Sequence, residues 1–240
     1  METRKKIAIF TGAGISVESG VEAFRTGDKP LWGEYEVDDV ATPEAWKRNP
    51  QLVTDFYNRR REQMAEVHPN DAHKALARLE EKYDVTIITQ NIDDLHERGG
   101  STNIQKLHGD LRTVRSAVNP EEKYDWEYKA VDYENDRAKN NARLRPHVVW
   151  FGEYPDIRAV KNGYDAIYEA DILLIIGTSL QISYTHDMLS NVRKVDEPCE
   201  VYYIDPTPMK YLEAYGVPVV YIEKDAVEGV TEMVEILMNR

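Results

Sequence analysis

The sequence predicts an α/β fold built on a doubly wound, largely parallel sheet. Two observations lead to this prediction. Five short runs rich in valine and isoleucine lack the alternation of a half-exposed strand, which suits parallel strands buried on both faces. Amphipathic helical segments lie between these runs. With 240 residues, the chain is long enough for one large domain, alone or with a small one, around a sizeable core.

The predicted elements follow in chain order. The strands are Ile7–Phe10, Val85–Thr89, Ile172–Ile176, Val201–Ile204 and Val219–Ile222. We expect a helix beyond Ser16, an amphipathic helix over Ala72–Tyr83 and another over Asp225–Met238. Residues 116–143 are polar, charged and rich in tyrosine, so they interrupt the alternation as an inserted small module or a long loop.

Charge and cysteine content exclude several classes of partner. The chain has 43 acidic and 30 basic residues, and its net charge of -13 repels the phosphates of nucleic acids. Cys199 is the single cysteine, so no disulfide forms within the chain, which fits a reducing, cytoplasmic location. The N-terminus lacks the pattern of a signal peptide, and the longest apolar run, Ile172–Ile176, is too short to span a membrane.

The first predicted strand ends in a glycine-rich turn, Gly12-Ala13-Gly14. Glycines let a diphosphate approach the backbone, and a following helix N-terminus offers free N–H groups. The usual dinucleotide pattern has a third glycine at the position of Val17. On its own, this turn therefore also fits a tight turn that uses glycine for its own geometry.

Five motifs in one order give the turn a specific context. They are GAGISVESGVEAFR at 12–25, TQNIDDLHERGG at 89–100, LHGDL at 107–111, RPHVVWFGE at 145–153 and GTSL at 177–180. In order and spacing they resemble the sirtuin family, over about residues 5–112 and 144–228. The resemblance implies an NAD-dependent protein deacylase with a Rossmann-like large domain and a small module. We expect one catalytic unit over 1–240, with a large domain of about 1–110 and 144–240 and a module of about 111–143, to which about 25–70 adds part of the small lobe.

The same resemblance implies the residues that bind NAD. Asn91 and Asp93 would hold the nicotinamide amide, since together they offer a donor and an acceptor. The carboxylate of Asp205 would accept from ribose hydroxyls. Simpler roles stay open: Asp93 could cap the helix that starts near Leu95, and Phe24 could be a core residue. The full set is Gly12, Ala13, Gly14, Phe24, Arg25, Gln90, Asn91, Asp93, Gly177, Thr178, Ser179, Asp205 and Ala226.

His108 and Asn91 are the predicted catalytic residues. His108 is one of six histidines, and only its place in the LHG motif distinguishes it. An imidazole titrates near ~6.5, so His108 could take a proton from a ribose hydroxyl at neutral pH. His96 and His147 also lie in sirtuin motifs, but as structural residues.

Two stretches are predicted to bind the acylated lysine. Val149–Glu153 would offer an edge to an extended peptide, or else be a buried strand and a turn. Tyr57 and Arg60 have the Tyr-x-x-Arg spacing of sirtuins that remove succinyl, malonyl or glutaryl groups, and they share a helical face. The alternative is a basic surface formed by Arg59, Arg60 and Arg61 together. The substrate-binding set is Tyr57, Arg60, Val149, Phe151, Gly152 and Glu153.

The module departs from the sirtuin pattern because residues 111–146 contain no cysteine. We therefore expect no structural zinc and no other metal site. Either Tyr124, Trp126, Tyr128 and Tyr133 build a small apolar core there, or the module is loose.

The predicted activity is NAD-dependent deacylation of lysine in proteins or peptides, giving nicotinamide and O-acyl-ADP-ribose. Two alternatives use the same pocket: an NAD hydrolase or ADP-ribosyltransferase, and a non-catalytic module that binds NAD or ADP-ribose. Nothing in the sequence sets the oligomeric state.

Overall fold

A six-stranded parallel sheet forms the centre of the computed structural model, which describes residues 4–21, 35–193, 198–210 and 212–240. In chain order the strands are β1 Lys6–Thr11, β2 Asp84–Thr89, β3 Ile104–Lys106, β4 Gly109–Ser116, β5 Lys123–Asp125, β6 Leu144–Val148, β7 Ile172–Ile176, β8 Glu200–Ile204 and β9 Val220–Ile222. The helices are α1 Val37–Val40, α2 Pro43–Arg48, α3 Pro50–Glu66, α4 Asp71–Arg78, α5 Leu95–Gly99, α6 Ile157–Glu169, α7 Ser183–Ser190 and α8 Ala226–Met238. The order β3-β2-β1-β7-β8-β9 confirms the α/β prediction. The strand order reverses between the parallel strands β1 and β7, because β2 and β3 are added on one side of β1 and β7, β8 and β9 on the other.

Alternate side chains of β1 point to opposite faces of the sheet and build two separate cores. Ile7 and Ile9 pack with residues of α4 and α8, whereas Ala8 and Phe10 pack with residues of α6 and α7. All four side chains are at most 1% exposed. Burial on both faces explains why the strand sequences are unbroken apolar runs.

Several elements differ from the predictions, and the strands β4 and β6 are among those that were not predicted. The helix predicted over Ala72–Tyr83 is shorter, because α4 ends at Arg78 and a 3-10 helix, Leu79–Glu81, follows it. The helix expected beyond Ser16 begins earlier: a 3-10 helix spans Ala13–Ser19 and ends at Gly20, whose φ is 92°. The sequence analysis missed β3, a strand of three half-buried residues at the edge of the sheet.

Strands β4, β5 and β6 form a separate antiparallel sheet in the order β5-β4-β6. Tyr124 and Trp126 do not build its core, as one of the two alternatives had it, but pack partly buried against it. Tyr128 instead packs on the cluster around α3, and the ring centroid of Tyr133 lies 3.7 Å from the guanidinium carbon of Arg143. The core itself is aliphatic and consists of Val114, Val131, Ala138 and Leu144.

Two side chains of α3 join this small sheet and its loops to the rest of the fold. Asn58 Nδ2 donates to Val131 O at 2.9 Å, and Val131 N donates to Asn58 Oδ1 at 2.8 Å. Arg61 Nε donates to Leu111 O at 3.1 Å. Within the described ranges, no group of three or more His, Cys, Asp or Glu side chains is placed to hold a metal ion. In the same part of the chain, no helix combines the length and the apolarity needed to cross a membrane.

Candidate active site

Two glycine turns meet where β1 and β7 end. Gly12 N donates to Ile176 O at 3.0 Å, and Gly14 N donates to Gly177 O at 2.8 Å. A Cβ on Gly12 would lie 2.7 Å from Gly177 O, and one on Gly14 would lie 2.6 Å from Gly177 Cα. Gly12 and Gly14 therefore have to be glycines because any side chain there would collide with the second turn, with or without a bound ligand. This contact places the first turn at the point where the strand order reverses, which is where ligands bind in open α/β sheets.

Asn91 and Asp93 follow β2 and form a buried polar network with the first turn. Asn91 is 7% exposed, and its Nδ2 donates to Gly12 O at 3.1 Å. Asp93 is 8% exposed and accepts from Ser16 Oγ at 3.0 Å. Its other carboxylate oxygen accepts from Leu95 N, the first N–H of α5, at 3.1 Å, although the N-cap residue of this helix is Asp94 and not Asp93. Burial raises the pKa of Asp93, while the bonds from Leu95 and Ser16 oppose that rise.

A layer of buried side chains supports this network from behind. Thr11 Oγ1 donates to Thr89 Oγ1 at 2.8 Å and lies 3.0 Å from His96 Nε2. The rings of His96 and His73 stack edge to face with centroids 5.0 Å apart. Burial lowers the pKa of His73 to about 4 and lowers that of His96 well below its usual value. Both rings are therefore neutral at pH 7, which supports the structural role predicted for His96.

His108 lies between the ends of β2 and α7 with both ring nitrogens engaged. Nδ1 is 2.9 Å from Gln90 O, and Nε2 is 2.8 Å from the hydroxyl of Tyr184. Because a carbonyl oxygen only accepts, Nδ1 carries the hydrogen, and Nε2 of the neutral ring is a proton acceptor. Burial lowers the pKa of His108, and the Gln90 carbonyl partly opposes this. The ring is thus unprotonated at neutral pH, as a general base requires.

The other predicted cofactor residues lie around the same edge of the sheet. Gln90 Nε2 donates to Thr178 Oγ1 at 3.0 Å, and the neighbouring Ser179 is exposed. Asp205 follows β8 and accepts from Thr207 N at 2.8 Å. Burial raises the pKa of Asp205. Ala226, the first residue of α8, is buried. Ala13 is half-buried, and Phe24 and Arg25 lie outside the described residues.

The segment predicted to offer an edge to the substrate is a turn that follows β6, and no strand forms over Val149–Glu153. Val149 N donates to His108 O at 2.9 Å, which brings the turn next to the base. Phe151 is 37% exposed, and its N donates to Ala41 O at 3.0 Å. Gly152 is exposed with a φ of 85°, a conformation that favours glycine.

A buried ion pair holds this turn in place. Arg145 donates to both carboxylate oxygens of Glu153 at 2.8 and 3.0 Å. Glu153 also accepts from Trp150 N at 3.0 Å, and the guanidinium of Arg145 lies 3.4 Å from the centroid of the Trp150 ring. The Glu153 carboxylate thus stabilises the turn through these contacts.

Tyr57 and Arg60 have different partners on α3. Tyr57 is 3% exposed, and its hydroxyl accepts from Trp150 Nε1 at 3.1 Å. The guanidinium carbon of Arg60 lies 4.5 Å from the ring centroid of Phe56. Arg61 is only 1% exposed, so the alternative of one basic surface formed by three arginines is wrong.

Comparison with known proteins identifies the family to which this arrangement belongs. A profile described as Sir2 family matches residues 12–184. The NAD-dependent protein deacylase of Helicobacter pylori strain ATCC 700392 / 26695 is 48% identical over 202 residues, which cover 84% of this chain and 85% of that protein. The chain belongs to the Sir2 family. A second relative of this Sir2 chain, the NAD-dependent protein deacylase of Bacteroides thetaiotaomicron, is 42% identical over 238 residues, or 98% of each protein.

Solved Sir2 structures have the same fold. A mutant Sir2 homologue in complex with ADP-ribose aligns with a TM-score of 0.87 at 31% identity, covering 98% of this chain and 93% of that one. A Sir2 protein in complex with a p53 peptide and NAD+ aligns with a TM-score of 0.80 at 25% identity, covering 99% and 95%. The resemblance to sirtuins drawn from the five motifs is confirmed, whereas the roles assigned to individual residues stay predictions.

Some side chains of this Sir2 site were missed by the sequence analysis. Ser16 lies inside the first motif, and its bond to Asp93 could have been suspected from a serine beside a glycine turn. Tyr184 contacts His108 across 76 residues of sequence, and no local pattern announces it. Arg145 lies in the fourth motif, but only the folded turn reveals its pairing with Glu153.

Proposed function

We propose that this Sir2 chain is an NAD-dependent protein lysine deacylase that releases nicotinamide and forms O-acyl-ADP-ribose. The observation that carries the proposal is the position of His108. Its ring lies beside Gln90, just beyond the end of β2, with Nδ1 2.9 Å from Gln90 O and Nε2 2.8 Å from the Tyr184 hydroxyl. The names of the two relatives, both NAD-dependent protein deacylases, support the same reaction.

The residues at the switch point fit a dinucleotide. The two glycine turns pack against each other at the point where the strand order reverses, which is where open α/β sheets bind their ligands, and phosphates would bind beside them. Asn91 Oδ1 and the Asp93 carboxylate would accept from the N–H groups of an amide, because Asn91 Nδ2 already donates to Gly12 O and Ser16 Oγ. Thr178 and Asp205 would bind ribose hydroxyls. When bound, NAD supplies an anomeric carbon that loses nicotinamide and accepts the acyl oxygen of the substrate.

The protein then has to move a proton. His108 Nε2 would take it from a ribose hydroxyl, because Nδ1 already carries hydrogen and the lowered pKa leaves the ring neutral at pH 7. Asn91 would help to hold the ligand in place, because its own side chain is fixed by the bond from Nδ2 to Gly12 O. Orientation of this kind is a general source of rate enhancement.

The acyl-lysine would enter between α3 and the turn after β6. The bond between Tyr57 and Trp150 joins these two elements, which supports a shared pocket. Burial raises the pKa of Tyr57, so its hydroxyl stays neutral and can donate to an acyl carboxylate. Arg60, one helical turn further along α3, would supply the matching charge. We therefore propose succinyl- or malonyl-lysine as preferred substrates over acetyl-lysine.

The domain division proposed above also has structural support. The contacts of Asn58 and Arg61 attach the loop and strand at Val131 and Leu111 to α3, so α3 would belong to the small lobe. The catalytic edge would then lie between this lobe and the large domain. For location we propose the cytoplasm, which suits a chain whose lone cysteine, Cys199, is buried.

One assay tests the proposal. The purified protein is incubated with NAD and acetyl-, succinyl- or malonyl-lysine peptides, and the products are followed by mass spectrometry. We expect O-acyl-ADP-ribose and free lysine peptide. ADP-ribose without peptide turnover would favour an NAD hydrolase, ADP-ribosylated protein would favour a transferase, and NAD binding without products would favour a non-catalytic module.

A further inference from the structure

Both ring nitrogens of His108 have partners within the protein. Nδ1 donates to Gln90 O, so Nε2 accepts in the neutral ring, and the hydroxyl of Tyr184 lies 2.8 Å away. The tyrosine must therefore be the donor of this second bond. Its ring meets the imidazole edge to face, with an angle of 88° between the planes and centroids 6.3 Å apart. Nε2, the atom that would accept the proton in catalysis, thus already accepts a hydrogen bond from Tyr184.

The start of α7 keeps Tyr184 in this position. Its neighbour Thr185 donates to Ile182 O from the backbone at 3.0 Å and from Oγ1 at 2.6 Å, which fixes the first turn of the helix. The Tyr184 ring also packs partly buried on the core cluster under α6 and α7. Burial raises the pKa of the Tyr184 hydroxyl, so at neutral pH it remains a donor.

We propose that Tyr184 is a cap on the general base: its hydroxyl holds His108 Nε2 in the free protein and must withdraw before a ribose hydroxyl can donate there. The catalytic part of this inference rests on the proposed deacylase function, whereas the cap itself is a property of the free protein. Tyr184 acts as a positioning residue, since it touches the base and keeps its own proton. Gln90 and Tyr184 are the polar partners of the ring among the described residues.

The first test measures the cap without any turnover. Diethyl pyrocarbonate modifies an imidazole nitrogen that has a free lone pair, and site-resolved mass spectrometry reports the rate at each histidine. Because a net hydrogen bond is worth about 0.5–1.5 kcal/mol, Tyr184→Phe should raise the rate of modification at His108 by about two- to tenfold. The exposed His68 is an internal reference whose rate should not change.

The second test measures the consequence for catalysis. In Tyr184→Phe, kcat/KM for formation of O-acyl-ADP-ribose should rise by about two- to tenfold, since the same bond no longer has to be broken. Tyr164→Phe is the matched control, because Tyr164 packs on the same cluster and lies on α6. It should change neither rate.

Two results would overturn the cap. An unchanged rate of modification at His108 would show that the hydroxyl does not protect Nε2. An unchanged or lowered kcat/KM would show that Tyr184 does not compete with the substrate, and a loss would assign it to holding the ribose instead. If the wild-type protein forms no O-acyl-ADP-ribose, the deacylase proposal fails, but the chemical modification still decides whether the cap exists.

Discussion

The candidate active site lies at the carboxyl edge of the large sheet, where β1, β2 and β7 end. This edge and the small sheet β5-β4-β6 are held together by different kinds of contact. At the edge, groups from three distant parts of the chain bond to one another: Gly12 N donates to Ile176 O, and Gly12 O accepts from Asn91 Nδ2. The small sheet has a core of four aliphatic residues, and it joins α3 through the Asn58 hydrogen bonds and through Leu111 and Val148, which pack in the apolar cluster around α3. Polar contacts therefore fix the geometry of the edge, whereas apolar packing and a few side-chain hydrogen bonds hold the small sheet.

The two regions meet at the LHG motif. Gly109 has a φ of 85°, and a Cβ there would lie 2.1 Å from His147 O on β6. Val149 N, just beyond β6, donates to His108 O at 2.9 Å. His108 thus lies where the two sheets meet, but its ring is held by Gln90, which follows β2, and by Tyr184 of α7. This division predicts which changes affect chemistry and which affect stability or substrate choice.

The largest effect on activity should come from a substitution at the carboxyl edge that leaves the small sheet unchanged. His108→Ala removes the proton acceptor, so formation of O-acyl-ADP-ribose should fall by about 10²–10⁴-fold. NAD affinity by calorimetry should stay nearly unchanged, because the glycine turns and Asn91 are untouched. His68→Ala, at an exposed position, is the control. A variant as active as the wild type would remove His108 from the role of base.

Acid should destabilise the edge, which has two buried neutral histidines, more than the small sheet, which has one. His73 has a pKa of about 4 in the folded protein because it is buried, against 6.5 when unfolded. Between these values the unfolded chain binds more protons, so stability is full above pH 6.5 and is lost as the pH falls towards 4. At pH 5 the loss from His73 is about 2 kcal/mol, and His96 adds to it. The small sheet has one such histidine, His147, whose pKa burial also lowers to about 4.

Urea unfolding at pH 8 and pH 5 measures this loss. In His73→Gln the difference in unfolding free energy between the two pH values should shrink by about 2 kcal/mol. His68→Gln should leave the difference unchanged, since that side chain is exposed. The same difference in His73→Gln as in the wild type would mean that His73 is not the acid-sensitive group.

The same contrast explains what could be predicted from sequence. Strands such as Ile172–Ile176 are buried on both faces, so their apolar composition alone predicts them. The half-buried Ile104–Lys106 carries no such signal, and its pairing with β2 emerges only from the whole sheet. Around the site, Asn91 and His108 could be predicted because they lie in recognisable motifs. Tyr184 and the reason for Gly12 were not, because both depend on contacts between residues far apart in the chain.

A smaller effect is expected where the small sheet is attached. Asn58→Ala leaves Val131 N and O without their side-chain partner, which should lower the unfolding free energy by about 2 kcal/mol. NAD affinity should be maintained, while the KM for peptide should rise as the small lobe loosens. Asn162→Ala is a matched control, since this exposed side chain bonds only to Gln105 in the described structure. If Asn58→Ala weakened NAD binding as much as peptide binding, the two regions would not be separable.

The smallest predicted effect concerns substrate choice, where α3 meets the turn after β6. Tyr57→Phe with Arg60→Met removes a hydroxyl donor and a charge, while the buried ring of Tyr57 is kept. A charged hydrogen bond is worth about 1.5–3 kcal/mol, so the preference for succinyl- over acetyl-lysine should fall by about tenfold or more. The measurement is the ratio of kcat/KM values for two peptides that differ only in the acyl group. Arg59→Met controls for the loss of one positive charge from α3, since Arg59 is exposed and donates to Tyr35 Oη at 2.7 Å. Both peptides use the same NAD site and the same base. A ratio that stays constant would therefore show that Tyr57 and Arg60 do not set acyl selectivity, and it would leave the assignment of the residues at the carboxyl edge unchanged.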